Sequence, residues 1–391
     1  MTRIIMHIDL DAFFARCEEI KNPSYEKVPL AIGTRGRSGI ISTSNYEARK
    51  YGVRSGQPTF LADRNCPSLV LVPPDFSFYK KMSDKFFKFI SSFTKEIEKV
   101  SIDECFCDVT SLLYNHKSPM EFLSSLQKKL FELTSLKCSI GVAPTKWLAK
   151  MSSEIKKPMG ITICRRKDIP NIIYPLPIES FWGIGKKTSP KLRNYGINTI
   201  GELATAIEQN DPLVSNLLGK FYFTVREWIK GYGEDQINKE PFDPKSIGNQ
   251  ETLMENSTTF DQIEETLYRL AEEVSSRAKS SKKVGKTLSV VVKDTSFHLH
   301  SKNVSLLSPT NDFSTIFSKA SSIYRQYFEG QEIRLIGITL ERLENINKEE
   351  AQMSIWNYEE YEKKDKTNIL INSLNKKLKK NSLKRASEIK K

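Results

Sequence analysis

Hydrophobic positions along the chain follow two periods, and the boundaries between them outline its elements. Residues 3–9 (RIIMHID) form a short apolar run ending in an acid, the pattern of a buried strand. A helical stretch continues from Phe13 through Glu18 and Glu19 and stops near Asn22-Pro23. Residues 28–72 hold several short β-rich pieces (VPLAI, GIISTS, LVLV) separated by Gly, Pro, Asn and Ser, a small mixed α/β unit. From Phe76 to Lys99, apolar residues recur at helical spacing (Phe78, Met82, Phe86, Phe89, Ile90, Phe93, Ile97). Two more β-rich runs, VSIDECFCDV and CSIGVA, flank an amphipathic helix over residues 120–135. Strands alternating with helices in this order predict an α+β layered domain.

The pattern changes after Lys157-Pro158. Pro170, Pro175 and Pro177 mark a connector, and residues 178–232 read as small and all-helical. Residues 233–247 (GEDQINKEPFDPKSI) are polar, aperiodic and carry two prolines, as a linker does. Beyond it, strand-like runs (KTLSVVVK, EIRLIGITLERL) alternate with two amphipathic helices, TFDQIEETLYRLAEEVSSRA and DFSTIFSKASSIYRQYF, in a separate α+β domain. At 391 residues the chain is too long for a single core, and these shifts divide it into modules.

Charge narrows the class of partner. Sixty Lys and Arg against 47 Asp and Glu leave a net charge of +13, and nucleic acid is the commonest anionic partner of such a chain. Val274 to Lys302 holds seven basic residues against Asp294, and the last sixteen residues hold eight against Glu388. No apolar run approaches the roughly 18 residues of a membrane helix, and Asp9 and Asp11 interrupt the apolar N-terminus where a signal peptide would be unbroken. The six cysteines (Cys17, Cys66, Cys105, Cys107, Cys138, Cys164) form no Cys-x-x-Cys pair and read as reduced thiols of a cytoplasmic protein. His298 and His300 alternate on a strand without a third ligand, which argues against zinc, and His7 reads as a packed core histidine.

The candidate chemistry lies in acids and glycines. Asp9 closes the first strand, and Asp103-Glu104 sit inside a second β-rich run between Ile102 and Cys105-Phe106. Clustered carboxylates in apolar company repel one another and need a compensating cation, a conflict that hard divalent metal removes. Asp9, Asp103 and Glu104 are therefore candidates for a two-ion phosphoryl-transfer site, although spacing alone favours strand-end or turn acids facing solvent. Farther on, FWGIGKKT (181–188) places Gly183, Gly185, Lys186 and Lys187 at a turn opening a helix, where backbone N–H groups can approach phosphate. Ser180 stands where a nucleotide-binding phosphate loop requires glycine, which excludes that motif. Two short helices joined by Gly-Ile-Gly resemble a helix-hairpin-helix; a plain helix-capping glycine is the simpler alternative.

Five segments in order, HIDLDAFFARCEE (7–19), STSNYEARKYGVRSG (42–56), SIDECFCDVT (101–110), SIGVAPTKWLAKMSSEIKKPMGI (139–161) and the WGIGKKT turn, resemble the Y-family, or translesion, DNA polymerases of the DNA polymerase IV sort. The resemblance implies a multidomain α+β fold of right-hand polymerase architecture: palm (1–11 and 77–168), fingers (12–76), helix-hairpin-helix thumb (169–233), linker (234–247), an α+β little finger (248–345) and a basic tail (346–391). It implies that Asp9, Asp103 and Glu104, with the Leu10 carbonyl, hold two Mg²⁺ ions, with Mn²⁺ as a substitute. Phe14 is implied as the steric gate against a 2′-OH, and Phe13, Thr43, Tyr46, Arg49 and Lys157 as nucleotide-binding residues. Primer–template DNA would be held by Gly183, Gly185, Lys186 and Lys187 in the thumb and by Arg277, Lys279, Lys282 and Lys283 in the little finger. Small residues at Ser42, Ser55 and Gly56, where the fingers would cover the new base pair, lead us to expect loose enclosure and low fidelity.

Gln352-Met353-Ser354-Ile355-Trp356 resembles the short peptides that dock bacterial polymerases on the sliding clamp, with Gln352 at the cleft rim and Ile355 and Trp356 as apolar anchors. The expected protein is thus a monomeric, Mg²⁺-dependent polymerase that copies damaged DNA without proofreading. A catalytically inactive, polymerase-like DNA-binding adaptor is the alternative, and missing carboxylates or triphosphate ligands would distinguish it. A metal-dependent nuclease would share the acids but gives no reason for Phe14, Tyr46, Arg49 and Lys157.

Overall fold

The computed structural model describes residues 2–346 except 115 and 117. Its chain divides into two compact units, Met1–Pro241 and Phe242–Lys391. Among the described residues are twelve strands: β1 (Ile5–Leu10), β2 (Leu30–Ile32), β3 (Thr43–Ser44), β4 (Val70–Val72), β5 (Ile97–Lys99), β6 (Glu104–Asp108), β7 (Cys138–Ala143), β8 (Ile161–Ile163), β9 (Ser246–Ser257), β10 (Lys283–Asp294), β11 (Leu299–Thr310) and β12 (Ile333–Asn345).

In the first unit a five-stranded sheet runs in the order β5-β6-β1-β7-β8, with β1 at its centre and antiparallel to both neighbours. Successive side chains on β1 point to opposite faces, and both faces are covered, so its sequence reads as a nearly unbroken apolar run. Met6, Ile8 and Leu10 join Cys105, Cys107 and the helices Phe76–Ile90 and Pro119–Thr134 in one core. Ile5 joins Phe106, Trp147, Leu148 and Met151 in a second core, which continues into the helical region beyond Cys164. The odd-numbered face of β1 therefore carries His7 and Asp9 toward the helix Lys146–Ile155. A small sheet, β3-β2-β4, sits beside them around Ala31, Ile41, Ala48 and Val53.

The second unit is a four-stranded antiparallel sheet, β11-β10-β12-β9, covered by the helices Phe260–Ser280 and Phe313–Tyr327. Leu288, Val290 and Val292 of β10 and Ile336, Ile338 and Leu340 of β12 meet Leu267, Leu270 and Ile323 of those helices.

Four expectations are corrected by these elements. The helix expected to reach Lys99 ends at Ile90, and Ile97–Lys99 instead pairs with β6 as a strand. Ser92 Oγ donates to the Phe89 carbonyl at 2.6 Å and Thr94 Oγ1 accepts from Glu96 N, so hydroxyls compete with the helical ladder at the point where it stops. Asp103 lies in the bend before β6 rather than inside the strand, and Ile102 beside it is exposed. The Gly-Ile-Gly turn does not open a helix directly: it follows the 3₁₀ turn Ile178–Ser180, and the next helix, Ser189–Asn194, begins four residues beyond Gly185. At the polar linker, β9 already starts at Ser246.

Phe86, fully buried at the centre of the first core, provides a stability test. Phe86→Ala is expected to lower the unfolding free energy by about 3–5 kcal/mol, through lost burial and the cavity left behind. A guanidinium titration that places the variant within about 1 kcal/mol of the parent would contradict this packing.

Candidate active site

The centre of the site is a like-charge pair fixed by strand register. Asp9 on β1 stands directly opposite Glu104 on β6. Carboxylates in that position destabilise a sheet unless a cation intervenes. Here the Lys150 ammonium bridges them: it lies 3.2 Å from Asp9 Oδ2 and is hydrogen-bonded to Glu104 Oε2. Lys157 Nζ binds the other Asp9 oxygen at 2.8 Å and Glu154 Oε1 at 2.9 Å. Lys150, Ser153, Glu154 and Lys157 recur at the three- and four-residue spacing of one helix face, with Lys157 just past the helix end. Thr145 caps that helix through Leu148 N, fixing where the face begins.

Each group titrates according to its surroundings. Burial works to raise the Glu104 carboxyl, but hydrogen bonds from His7 and Lys150 and the Lys150 charge hold it well below the usual carboxylate range. Burial would lower Lys150 and Lys157, yet the Asp9 charge and neighbouring carboxylates raise both above the ordinary lysine value. Asp103 moves the other way: burial raises it against the hydrogen bond from Ser101, and the Asp9 and Glu104 charges raise it further. Among the described residues no basic side chain pairs with Asp103. At one end of the β1–β6 pair, Asp9, Glu104 and His7 offer ligand atoms within 4.8 Å of one another, while Asp103 lies outside that group but near enough to feel both charges. The carboxylates are hard oxygen donors of the kind that suits Mg²⁺ or Mn²⁺.

The segment after β1 places the aromatic groups. Ala12 adopts a left-handed conformation (φ 47°) that turns the chain from the strand into the helix Phe13–Lys21. Phe13 is 3% exposed and belongs to the core, so its ring has no face to offer a nucleotide. Phe14 is half-buried and stacks on Tyr79 with centroids 4.5 Å apart and planes at 14°, while Phe76 meets it edge-on. The Tyr79 hydroxyl donates to Glu18 at 2.9 Å, so the platform beneath Phe14 is held.

Tyr46 and Arg49 lie on the helix Tyr46–Lys50, next to half-buried Thr43. The Arg49 guanidinium sits 4.6 Å over the Tyr46 ring and Nε donates to the Ser44 carbonyl. The Tyr46 hydroxyl donates to Asp11 Oδ1 at 3.3 Å, and Asp11 also accepts from Ser139 Oγ and from Met159 N, both at 2.8 Å. Burial raises the Tyr46 phenol and the Asp11 carboxyl. Through Asp11, Tyr46 is tied to the segment two residues beyond Lys157.

Other expected contacts scatter over two surfaces. Gly183, Gly185, Lys186 and Lys187 are all exposed. Gly183 has φ 109° and a Cβ there would strike Phe221, whereas the space around Gly185 is open to an approaching phosphate. In the second unit Arg277 and Lys279 end the helix Phe260–Ser280 and Lys282 is exposed, with Arg277 bonded to the Gly248 carbonyl. Lys283 is not a surface cation: its side chain is buried and its ammonium pairs with Asp243 at 2.5 Å. His298 and His300 both address Asp294, at 3.6 and 2.9 Å, in an exposed ion-paired turn. Gln352, Ile355 and Trp356 lie outside the described residues.

Lys150, Asp11, His7 and Ser153 were not legible as site residues. The helix-face spacing of Lys150 with Lys157 was the available signal, but a solvated face gives the same spacing.

Known proteins similar to this chain are polymerases. The chain matches the impB/mucB/samB family over residues 8–154, the C-terminal domain of that family over 244–355 and an IMS family HHH motif over 166–197. A solved Y-family DNA polymerase chimera superposes with a TM-score of 0.77 at 24% identity, covering 88% of this chain and 99% of that one. The fold is that of a Y-family DNA polymerase. DNA polymerase IV of Oceanobacillus iheyensis is 34% identical over 96% of this chain and 89% of its own length. DNA polymerase IV of Ureaplasma parvum is 35% identical over 89% of this chain and 97% of its own length. The chain thus belongs to the DNA polymerase IV group of that family and is a DNA-directed DNA polymerase.

Glu104 allows a pH test of the ion-pair network. Its carboxyl is held below the unfolded-state value of about 4.3, so the stability it contributes is present above that pH and is lost as pH falls toward the folded-state value. Lys150→Met is expected to cost about 1–3 kcal/mol at neutral pH, less than for a fully buried pair because these groups are partly exposed. Denaturant unfolding without divalent ions should show the gap between parent and variant closing on acidification. A gap that does not change with pH would contradict the ion-pair assignment.

Proposed function

We propose that this polymerase extends primers on damaged as well as intact templates, with two divalent ions, Mg²⁺ or Mn²⁺, held by Asp9, Asp103, Glu104 and the Leu10 carbonyl. The observation that carries the reading is the opposition of Asp9 and Glu104 across β1 and β6, with Asp103 beside them. When bound, the ions would favour ionisation of the primer 3′-OH and neutralise charge on the triphosphate. The oxyanion attacks the α-phosphate of the incoming deoxynucleotide, forming a phosphodiester bond as the bond to pyrophosphate breaks.

The protein's own residues position these groups. Tyr46, Arg49 and Lys157 grip the β- and γ-phosphates, where charge accumulates as pyrophosphate leaves. Lys157 exchanges its Asp9 partner for phosphate when the nucleotide enters, and Thr43 supports the same ligand. Phe14, held on Tyr79, lies beneath the sugar and collides with a 2′-OH.

The palm is assigned to 1–11 and 77–168, the fingers to 12–76, the thumb to 169–233 and the little finger to 248–345. The Gly183–Lys187 turn would contact the DNA backbone in the thumb. Arg277, Lys279 and Lys282 would neutralise phosphates in the second unit, making affinity fall steeply with salt. Ser42, Ser55 and Gly56 are exposed and small, which favours admission of distorted template bases and lowers fidelity. In this reading the enzyme is a monomer without a proofreading site, docks on a sliding clamp through Gln352, Ile355 and Trp356, and works in the cytoplasm.

The test is extension of a 5′-labelled primer on intact and damaged templates with Mg²⁺ and four dNTPs. Asp103→Ala and Glu104→Ala should abolish extension while leaving salt-sensitive DNA binding. Phe14→Ala should relax discrimination against ribonucleotides by on the order of 10²-fold. Extension by either acid variant, primer shortening, or an error rate equal to that of a high-fidelity replicase would overturn the corresponding part of the reading.

A further inference from the structure

His7 has no part in the reaction described above, yet it is the fully buried residue nearest in sequence to Asp9 on the same face of β1. Its Nδ1 lies 2.8 Å from Ser153 Oγ and its Nε2 lies 3.1 Å from Glu104 Oε2. The ring packs on Phe106 with centroids 4.7 Å apart. Ser153 is buried too, and its Oγ lies 2.8 Å from the Lys150 carbonyl.

Geometry constrains where the protons of this chain lie. An ionised Glu104 only accepts, so a hydrogen bond at Nε2 requires the proton to be on that nitrogen. In a neutral ring Nδ1 is then an acceptor, and the donor facing it is the Ser153 hydroxyl. That hydroxyl has one proton and a choice of two acceptors, Nδ1 and the Lys150 carbonyl. The carbonyl has a second lone pair and can take that proton beside its helical bond. It is therefore the Nε2–H tautomer of a neutral ring that draws the Ser153 proton to Nδ1, which has no other donor among the described contacts. Lys150 and His7 both bind Glu104 Oε2, and no described contact reaches Oε1.

We propose that Ser153 and His7 form a positioning chain for Glu104. Ser153 holds the His7 imidazole in its Nε2–H tautomer, His7 pins one carboxylate oxygen, and the other oxygen is presented to a divalent cation. His7 is thus a positioning residue, neither a base nor a metal ligand. The inference rests on Glu104 being a cation ligand, as proposed above.

Three measurements test it. The chain has four histidines, so ¹⁵N-histidine labelling with His7→Gln for assignment identifies the His7 nitrogens by long-range ¹H–¹⁵N correlation. An unprotonated Nδ1 beside a protonated Nε2 is expected, and a proton on Nδ1 overturns the proposal. Mn²⁺ binding, followed by the electron paramagnetic resonance of the free ion, reads the effect on the site without turnover. His7→Phe keeps the ring packing but loses the donor and should weaken Mn²⁺ binding by about 10–100-fold. His7→Gln restores an N–H donor and should recover most of that loss, and Ser153→Ala should fall between. In extension assays His7→Phe should lower kcat with the KM for dNTP unmoved. Unchanged Mn²⁺ affinity in folded His7→Phe, or in Ser153→Ala where His7→Phe does not fold, overturns the positioning chain. Unchanged affinity in Asp103→Ala and Glu104→Ala as well would place the failure in the cation-site reading beneath it.

Discussion

Everything around the site follows from two carboxylates that strand register forces together. Asp9 and Glu104 cannot separate, because β1 is hydrogen-bonded on both edges and packed on both faces. Their repulsion is met from one direction, by the helix Lys146–Ile155. That helix buries Trp147, Leu148 and Met151 in one core and turns Lys150 and Ser153 toward the acids. Its apolar stripe thus sets the position of its polar stripe, and the packing of tryptophan and leucine determines where the ammonium sits.

The same logic extends away from the acids. On the other side of β1 the core of Met6, Ile8, Leu10, Phe86 and Leu130 backs the strand. The left-handed turn at Ala12 then directs Phe13 inward and Phe14 onto Tyr79. Asp11 joins Tyr46 to Ser139 and Met159, so a buried acceptor links the proposed phosphate grip to the sheet. A buried carboxylate with three donors is tolerable where an unpaired one would not be. Rigidity here has a chemical use, since catalytic groups act only when they are held close to a productive geometry.

Local charge counts turned out to be an incomplete guide to surface. Lys283 belongs to the basic run after Val274, but it is buried against Asp243, while Arg277, Lys279 and Lys282 flank it in exposed positions. Phe13 and Phe14 are adjacent and chemically identical, yet one is core and the other half-exposed. In both cases neighbours in sequence are separated by the direction their side chains take, which depends on elements distant in the chain.

The order of most strands and helices and the candidate acids Asp9 and Glu104 were legible in the sequence, because periodicity and spacing are local properties. Tyr46, Arg49 and Lys157 were singled out only through the family resemblance. The class of enzyme was legible too, through five segments whose residues serve one reaction. The end of the helix at Ile90, the bend that places Asp103 ahead of β6 and the bridging role of Lys150 were not. Each was decided by competition between local propensity and pairing with a partner far along the chain: hydroxyls and β6 against a helical period, and two carboxylates against a solvated lysine. Sequence determined which groups were available, and tertiary structure decided which of them face one another, because burial and opposition of charge exist only once the strands are paired.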